Sequence, residues 1–335
     1  MSSPRACPTT GRRLYAWMVR SVLLLLCLAC PPGSAKELFV APDGSDDGAG
    51  TLAQPWASLM KAQAMATPGD TVWIRGGVYR LRPAQVAREQ RAWTYIHYFD
   101  KSGRPGQPIR YWAYRDEQAV FDASEVNPPD RRINAFQIVG SWLHFRGFEV
   151  TGTQVNFKGH GQSCNVEIQG GHNILERLSL HDSQAIGVYL LGGSDNLILN
   201  CDAYRNYDYT SEDHRGGNVD GFGGHPRQGS VNNVFRGCRA WFNSDDGYDC
   251  ISAWESVRFE GCWAMYNGYG PRFEKRGDGN GFKVGGYGNT PVHGVPNPAP
   301  RHTTEGCLAV RNKASGFYAN HHLTGGDWSF NSAFP

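Results

Sequence analysis

The chain carries 42 glycines in 335 residues, about one in eight against a usual ~7%, and only 19% charged residues. With 40% apolar and 12% aromatic residues it is too apolar to be disordered and too glycine-rich for a coiled coil, and it lacks the strict glycine period of a collagen. A formal charge of +2 excludes nucleic-acid binding by bulk charge and leaves a turn-rich, mostly β fold.

Residues 1–35 read as a secretory leader. Arg5, Arg12, Arg13 and Arg20 form a basic region, Val22 to Ala29 a short apolar core, and Gly33-Ser34-Ala35 a small-residue cleavage site. The apolar run is too short for a membrane span. Acylation at Cys30 is an alternative, weakened because Cys27 stands where a branched apolar residue is expected. Removing the leader's four Arg takes the charge from +2 to −2 (2 − 4). Residues 36–335 are then expected to form one exported, soluble domain.

Trp56 to Ala66, after Pro55, has the pattern of an amphipathic helix. Thr71 to Arg75 reads as a strand stopped by Gly76-Gly77, and residues 82–134 as early coils and loops of weak periodicity. From there a repeat emerges. Cys-x-Ala-x-x-Asn recurs at Cys201–Asn206, Cys238–Asn243, Cys262–Asn267 and Cys307–Asn312, with looser copies at Leu178 and Phe148. Each is followed by a polar-Gly-aromatic triplet: Asp220-Gly221-Phe222, Asp246-Gly247-Tyr248, Asn280-Gly281-Phe282 and Ser315-Gly316-Phe317. Anchors lie 23 or 24 residues apart, or 37 and 45 where insertions intervene. A period in the low twenties of short β-runs is the signature of a β-solenoid, with the first helix capping its open edge.

Stacked coils put equivalent residues in columns about 4.8 Å apart. The column Cys201, Cys238, Cys262 and Cys307 is expected to be free core thiols, with disulfides as the alternative in an exported protein. Asn206, Asn243, Asn267 and Asn312 should form an amide ladder at a turn. The repeated Gly is expected either to supply positive φ or to allow close backbone packing. Asp327 to Ala333 begins a further coil that is expected to be incomplete, a possible contact edge in a chain otherwise expected to act as a monomer.

The same stacking aligns side chains that carry chemistry. Asp220, Asp246, Asn280 and Ser315 share a bend, the aromatic residues point inward, and Gly223, Asp249, Lys283 and Tyr318 point outward. With Asp245, two coils would gather Asp220, Asp245, Asp246 and Asp249 on one wall. So many carboxylates repel unless a cation neutralises them, and oxygen ligands outside the cell favour Ca2+. The bland alternative is ordinary solvated Asp-Gly turns. Lys283 stands in a glycine-rich, apolar setting. It is either a salt-bridge partner of Asp249 or, beside a divalent cation that lowers its pKa, a general base.

Asn218-Val-Asp-Gly-Phe222, Asn243-Ser-Asp-Asp-Gly-Tyr-Asp249 and Gly279-Asn-Gly-Phe-Lys283, with the entry strand at 69–77, resemble polysaccharide lyase family 9. These are right-handed parallel β-helix pectate lyases. The resemblance implies that fold, Ca2+ held by Asp220, Asp245, Asp246 and Asp249, and Lys283 as the Brønsted base. It implies β-elimination on an acidic polysaccharide, polygalacturonate first. Arg272, Lys275, Arg276 and His225, together with Arg227, are candidate contacts to the anionic chain, and Trp241 and Trp254 candidate sugar platforms. Two other readings are kept. One is a β-helix glycoside hydrolase using Asp245 and Asp246. The other is a non-catalytic polysaccharide binder braced by calcium.

Overall fold

The structure is a computed structural model and describes residues 35–211 and 215–335. The leader therefore lies, except for Ala35, outside the described residues. No helix among the described residues is long and apolar enough to cross a membrane.

The chain winds through three sheets of ten, nine and ten strands. Successive coils pair in parallel. The first sheet runs from Glu37–Val40 to Asp327–Ser329, the second from Gly77–Arg80 to Ser332–Phe334, and the parallel strands of the third from Trp93–Phe99 to Phe317–Tyr318. This is the parallel β-helix expected from the repeat. The weakly periodic residues 82–134 contribute to all three sheets through Trp93–Phe99, Ile109–Ala113, Ala119–Asp122 and the start of Arg131–Ile138.

The helix spans Leu59–Met65, starting three residues later than its apolar pattern suggested. Ser58 sets the start: its hydroxyl accepts from the Lys61 N–H at 3.1 Å. Trp56 is instead extended, donating its backbone N–H to Phe39 O at 2.9 Å. Buried Leu59 and Ala62 join the core. Gln63 donates to Tyr98 O at 3.1 Å and accepts from the Asp100 N–H at 3.1 Å, so the helix satisfies part of the third sheet's end. The antiparallel strand Arg88–Gln90 covers another part, pairing with Trp93 to Tyr95.

Inside, like stacks on like. Ala203, Ala240, Ala264, Ala309 and Ala333 are in register. Phe222, Tyr248, Phe282 and Phe317 stack with centroids 5.1, 4.5 and 5.0 Å apart. Each such ring is worth roughly 1.5–3 kcal/mol in burial, and each ring pair about 0.5–1.5 kcal/mol more. Cys201, Cys238, Cys262 and Cys307 are buried and free, as are Cys164 and Cys250, so the disulfide alternative is not realised.

The amide ladder is continuous. Asn206 donates to Asn243 at 3.0 Å, Asn243 to Asn267 at 3.1 Å, and Asn267 to Asn312 at 3.0 Å. The residue before each ladder Asn is left-handed: Arg205, Phe242, Tyr266 and Arg311 have φ of 53°, 53°, 55° and 47°. That single αL residue turns the chain from the second sheet toward the third, and the ladder bonds offset its strain. The Gly column does not supply this turn. A Cβ on Gly247 would stand 2.6 Å from Gly281 O and 2.8 Å from Asn267 Nδ2, so close packing against the ladder requires glycine there. A second ladder precedes the first sheet. Asn196 donates to Asn233 at 3.0 Å, and the Asn173 N–H bonds to Asn196 Oδ1 at 3.0 Å.

Candidate active site

The third sheet presents one outward column: Tyr98, Gln137, Glu167, Tyr189, Gly223, Asp249, Lys283 and Tyr318 are paired in that order. The acidic bend meets this column at its C-terminal half.

The bend is itself a ladder. The Asp246 N–H donates to Asp220 Oδ1 at 3.1 Å, and the Asn280 N–H to Asp246 Oδ1 at 2.6 Å. The Ser315 N–H donates to Asn280 Oδ1 at 3.3 Å. One oxygen of each side chain is thus used to hold the next coil. The second oxygen of Asp246, Oδ2, is buried and receives no well-aligned hydrogen bond. Its close cationic neighbour is Lys283 Nζ at 3.1 Å. Lys283 Nζ also lies 3.2 Å from Asp249 Oδ2 and 3.5 Å from Asp278 Oδ2. Asp249 Oδ1 accepts from the Ile251 N–H at 2.6 Å, which fixes that carboxylate.

The four sequence-predicted aspartates, joined by Asp278, fall into two overlapping groups. Oxygens of Asp220, Asp246 and Asp249 lie within 4.8 Å of one another, and so do those of Asp245, Asp246 and Asp278. Asp246 belongs to both. Asp245 faces the 267–280 insertion, accepting from the Asp278 N–H at 2.5 Å. Asp278 was not singled out in the sequence, because it lies in an insertion whose register no repeat fixes.

Burial and mutual repulsion push the Asp220 carboxyl well above its ordinary range, and likewise that of Asp245. Burial raises Asp246 to about 6, with the Lys283 ammonium pulling the other way. Burial opposes the charge on Lys283, but Asp249 and Asp246 outweigh it and raise its pKa. Keeping four buried carboxyls ionised beside a single ammonium is costly in a protein interior unless a further positive charge joins them. The orphaned Asp246 Oδ2 and the close oxygens of Asp220 and Asp249 fit a hard divalent cation.

His225 lies beside this cluster. Its ring stacks on Tyr189 with centroids 4.7 Å apart, and its Nδ1 is 2.7 Å from Ile251 O. Burial holds its pKa below the ordinary value. Arg276 pairs with Glu274 at 3.1 Å and lies over the Tyr207 ring at 4.3 Å. Arg272 and Lys275 are exposed on the same insertion. Trp241 lies in the second sheet, stacked on Tyr204 at 4.3 Å, so it faces away from the carboxylates. Trp254 is 38% exposed in the turn after Cys250.

Comparison with known proteins agrees with this architecture. The family model described as the Pel9A-like, right-handed beta-helix region matches residues 38–335. Pectate lyase L of Dickeya chrysanthemi is 34% identical over 299 residues, covering 87% of this chain and 64% of that protein. Pectate lyase PEL9 of Emericella nidulans is 30% identical, covering 87% of this chain and 71% of that protein. A solved rhamnogalacturonan lyase superposes with a TM-score of 0.86 at 44% identity, covering 89% of this chain and 74% of that one. The crystal structure of pectate lyase Pel9A gives a TM-score of 0.67 at 32% identity, covering 86% and 67%. The chain thus spans slightly less than two thirds of the Dickeya chrysanthemi relative's length. The chain belongs to the Pel9A-like right-handed β-helix family.

Proposed function

We propose that the chain is the β-helix of an exported, calcium-dependent polysaccharide lyase that cleaves a galacturonate-containing polymer by β-elimination. The observation that carries this is Lys283 Nζ, held among Asp246, Asp249 and Asp278 on the outward face of the third sheet. Asp220, Asp246 and Asp249 are the residues that would hold calcium, with Asp245 turned toward Asp278 beside them. When bound, calcium would offset the carboxylates' hold on the Lys283 proton and act as a Lewis acid toward a substrate carboxylate.

Lys283 takes the proton from C5 of the uronate. The electron pair of the C5–H bond becomes the C4–C5 double bond, and the C4–O glycosidic bond breaks. The leaving oxygen takes a proton from solvent, and the ammonium formed on Lys283 loses its own to solvent. The chain's residues orient the amine: Asp249 is pinned by the Ile251 N–H and Asp246 by Asn280, so the amine's position is preorganised.

This arrangement favours a lyase over a hydrolase. A hydrolase needs two carboxylates open to the sugar and a water. Here Asp246 is buried against Lys283, and Asp245 is 5% exposed. The 44% identity to a rhamnogalacturonan lyase also brings that backbone forward as a substrate beside polygalacturonate.

The test is to incubate the protein with polygalacturonate and with rhamnogalacturonan, with calcium or chelator, at alkaline pH. Ultraviolet-absorbing unsaturated product that depends on calcium is the expected result. Saturated products would support the hydrolase, and calcium-dependent binding without cleavage the braced binder.

A further inference from the structure

We infer that the same sheet face carries a second, distal saccharide subsite, in a cavity toward the N-terminal end, which grips an acidic sugar of the polymer far from the bond that is cut. The cavity has a volume of ≈ 290 Å³ and is lined by Trp93, Tyr95, Tyr98, Glu167, Arg91 and Arg227 among others. The inference rests on the lyase reading only for which polymer occupies it.

Its position comes from the register. Glu167 is four strand steps from Lys283 along the outward column, roughly 19 Å, and Tyr98 two steps more, roughly 29 Å. Gly223 occupies the middle of that path, and a Cβ there would be 2.9 Å from both His225 Nε2 and Tyr189 Cδ2. The stacked Tyr189 and His225 rings therefore lie over the position where an outward side chain would otherwise stand.

The lining has the chemistry of a sugar site. The Trp93 and Tyr95 rings are parallel within 3°, with centroids 6.4 Å apart, and Tyr98 is 5.4 Å from Tyr95. Aromatic rings of this kind pack against the apolar face of a pyranose, and the guanidiniums of Arg132, over Trp93 at 5.2 Å, and Arg88, over Tyr98 at 4.7 Å, add positive charge beside them. Glu167 is 4% exposed, and three amides hold its carboxylate. Gln137 donates at 3.1 Å, Gln169 at 2.6 Å and Asn134 at 3.0 Å. These bonds make it a fixed acceptor for sugar hydroxyls. Arg91 and Arg227 are exposed at the cavity and supply two positive charges for a sugar carboxylate. Two arginines against one satisfied carboxylate give the cavity a net attraction for an acidic residue.

The test reads binding without turnover. Lys283→Ala protein in calcium is titrated calorimetrically with short and long oligogalacturonates, and with short and long rhamnogalacturonan oligosaccharides. Only the long ones can span ~19 Å or more. Long chains should bind more tightly than short ones in at least one series. Trp93→Ala and the surface change Arg227→Ala should each shrink that preference, by ~10-fold for about 1.4 kcal/mol of lost contact. Arg227→Ala keeps the test decisive should Trp93→Ala fold poorly. No length preference in either series, or a preference unchanged in the Arg227→Ala protein, would overturn the inference. If the wild-type protein forms no unsaturated product, the lyase reading fails while this titration still stands.

Discussion

Lys283 Nζ lies 3.1 Å from Asp246 Oδ2, a buried oxygen that no well-aligned hydrogen bond satisfies. The pair gives Lys283 two jobs: it is the candidate base, and it is the charge that makes Asp246 tolerable without a cation. Lys283→Ala should therefore cut the rate of unsaturated product formation by ~10^3-fold or more, in the range of a lost general base. In chelator it should also lower the melting temperature, because Asp246 and Asp249 lose their counter-charge. Calcium should restore much of that stability and none of the activity. A variant that melts like wild type in chelator would show that the ion pair contributes nothing to the fold.

The raised carboxyls set a pH signature. A carboxyl whose folded pKa lies above its unfolded value adds stability that is complete below the unfolded pKa, near 3.9, and is lost as pH rises through the folded one. For Asp246 that window runs from about 4 to about 6. Asp220 and Asp245, also raised, extend it upward. Asp182 and Glu117, whose pKa values are lowered, act in the opposite sense but are common to both conditions. The difference in melting temperature between calcium and chelator should thus widen from about pH 4 upward. Parallel curves would show that these carboxylates hold no cation.

Asp246→Asn separates charge from scaffold. The amide oxygen can still accept from the Asn280 N–H, so the bend should persist. The negative charge shared by both acidic groups is gone. Melting in chelator should be unchanged or higher, the calcium-induced rise should largely vanish, and turnover should fall ~100-fold or more. At calcium 100-fold above its Kd the wild-type protein should gain about 2.7 kcal/mol, which sets the size of the rise that disappears. A full calcium response in this variant would place the cation elsewhere.

The C-terminal half of the fold was legible because one coil motif repeats. Cysteine, alanine, asparagine and the Gly-aromatic pair each mark one position, so the register that puts Gly223, Asp249, Lys283 and Tyr318 in a column follows from alignment alone. What breaks the repeat was not legible. Asp278 sits in an insertion, and Trp93, Tyr95 and Tyr98 in the least periodic stretch, where only long-range pairing sets the register. The second amide ladder carried a usable signal. Asn173, Asn196 and Asn233 each fall five residues before the anchors Leu178, Cys201 and Cys238, and His302, five before Cys307, continues the row by accepting from the Val257 N–H at 3.2 Å. The left-handed corners at Phe242 and Tyr266 had none, because aromatic residues are poor formers of that conformation in isolation.

Glycine abundance itself makes the last prediction, because two glycines at different corners of the coil are needed for different reasons. Gly261 has φ +58° and nothing within 4 Å of an added Cβ, so Gly261→Ala meets only backbone strain. That should cost about 1 kcal/mol. Gly247 has no positive φ, yet its Cβ would press on Gly281 O at 2.6 Å, Asn267 Nδ2 at 2.8 Å and the Ala264 Cβ at 3.0 Å. Two of those contacts belong to the ladder and the inward alanine column, which have no slack, so Gly247→Ala should cost 2 kcal/mol or more, about the range of an overpacked core. It should also lower turnover, because Gly247 follows Asp246 and the strain falls on the bend that aims it. Denaturant melts of both variants decide the point: equal losses would mean that chain conformation, rather than crowding against the amide ladder, explains the Gly-aromatic column.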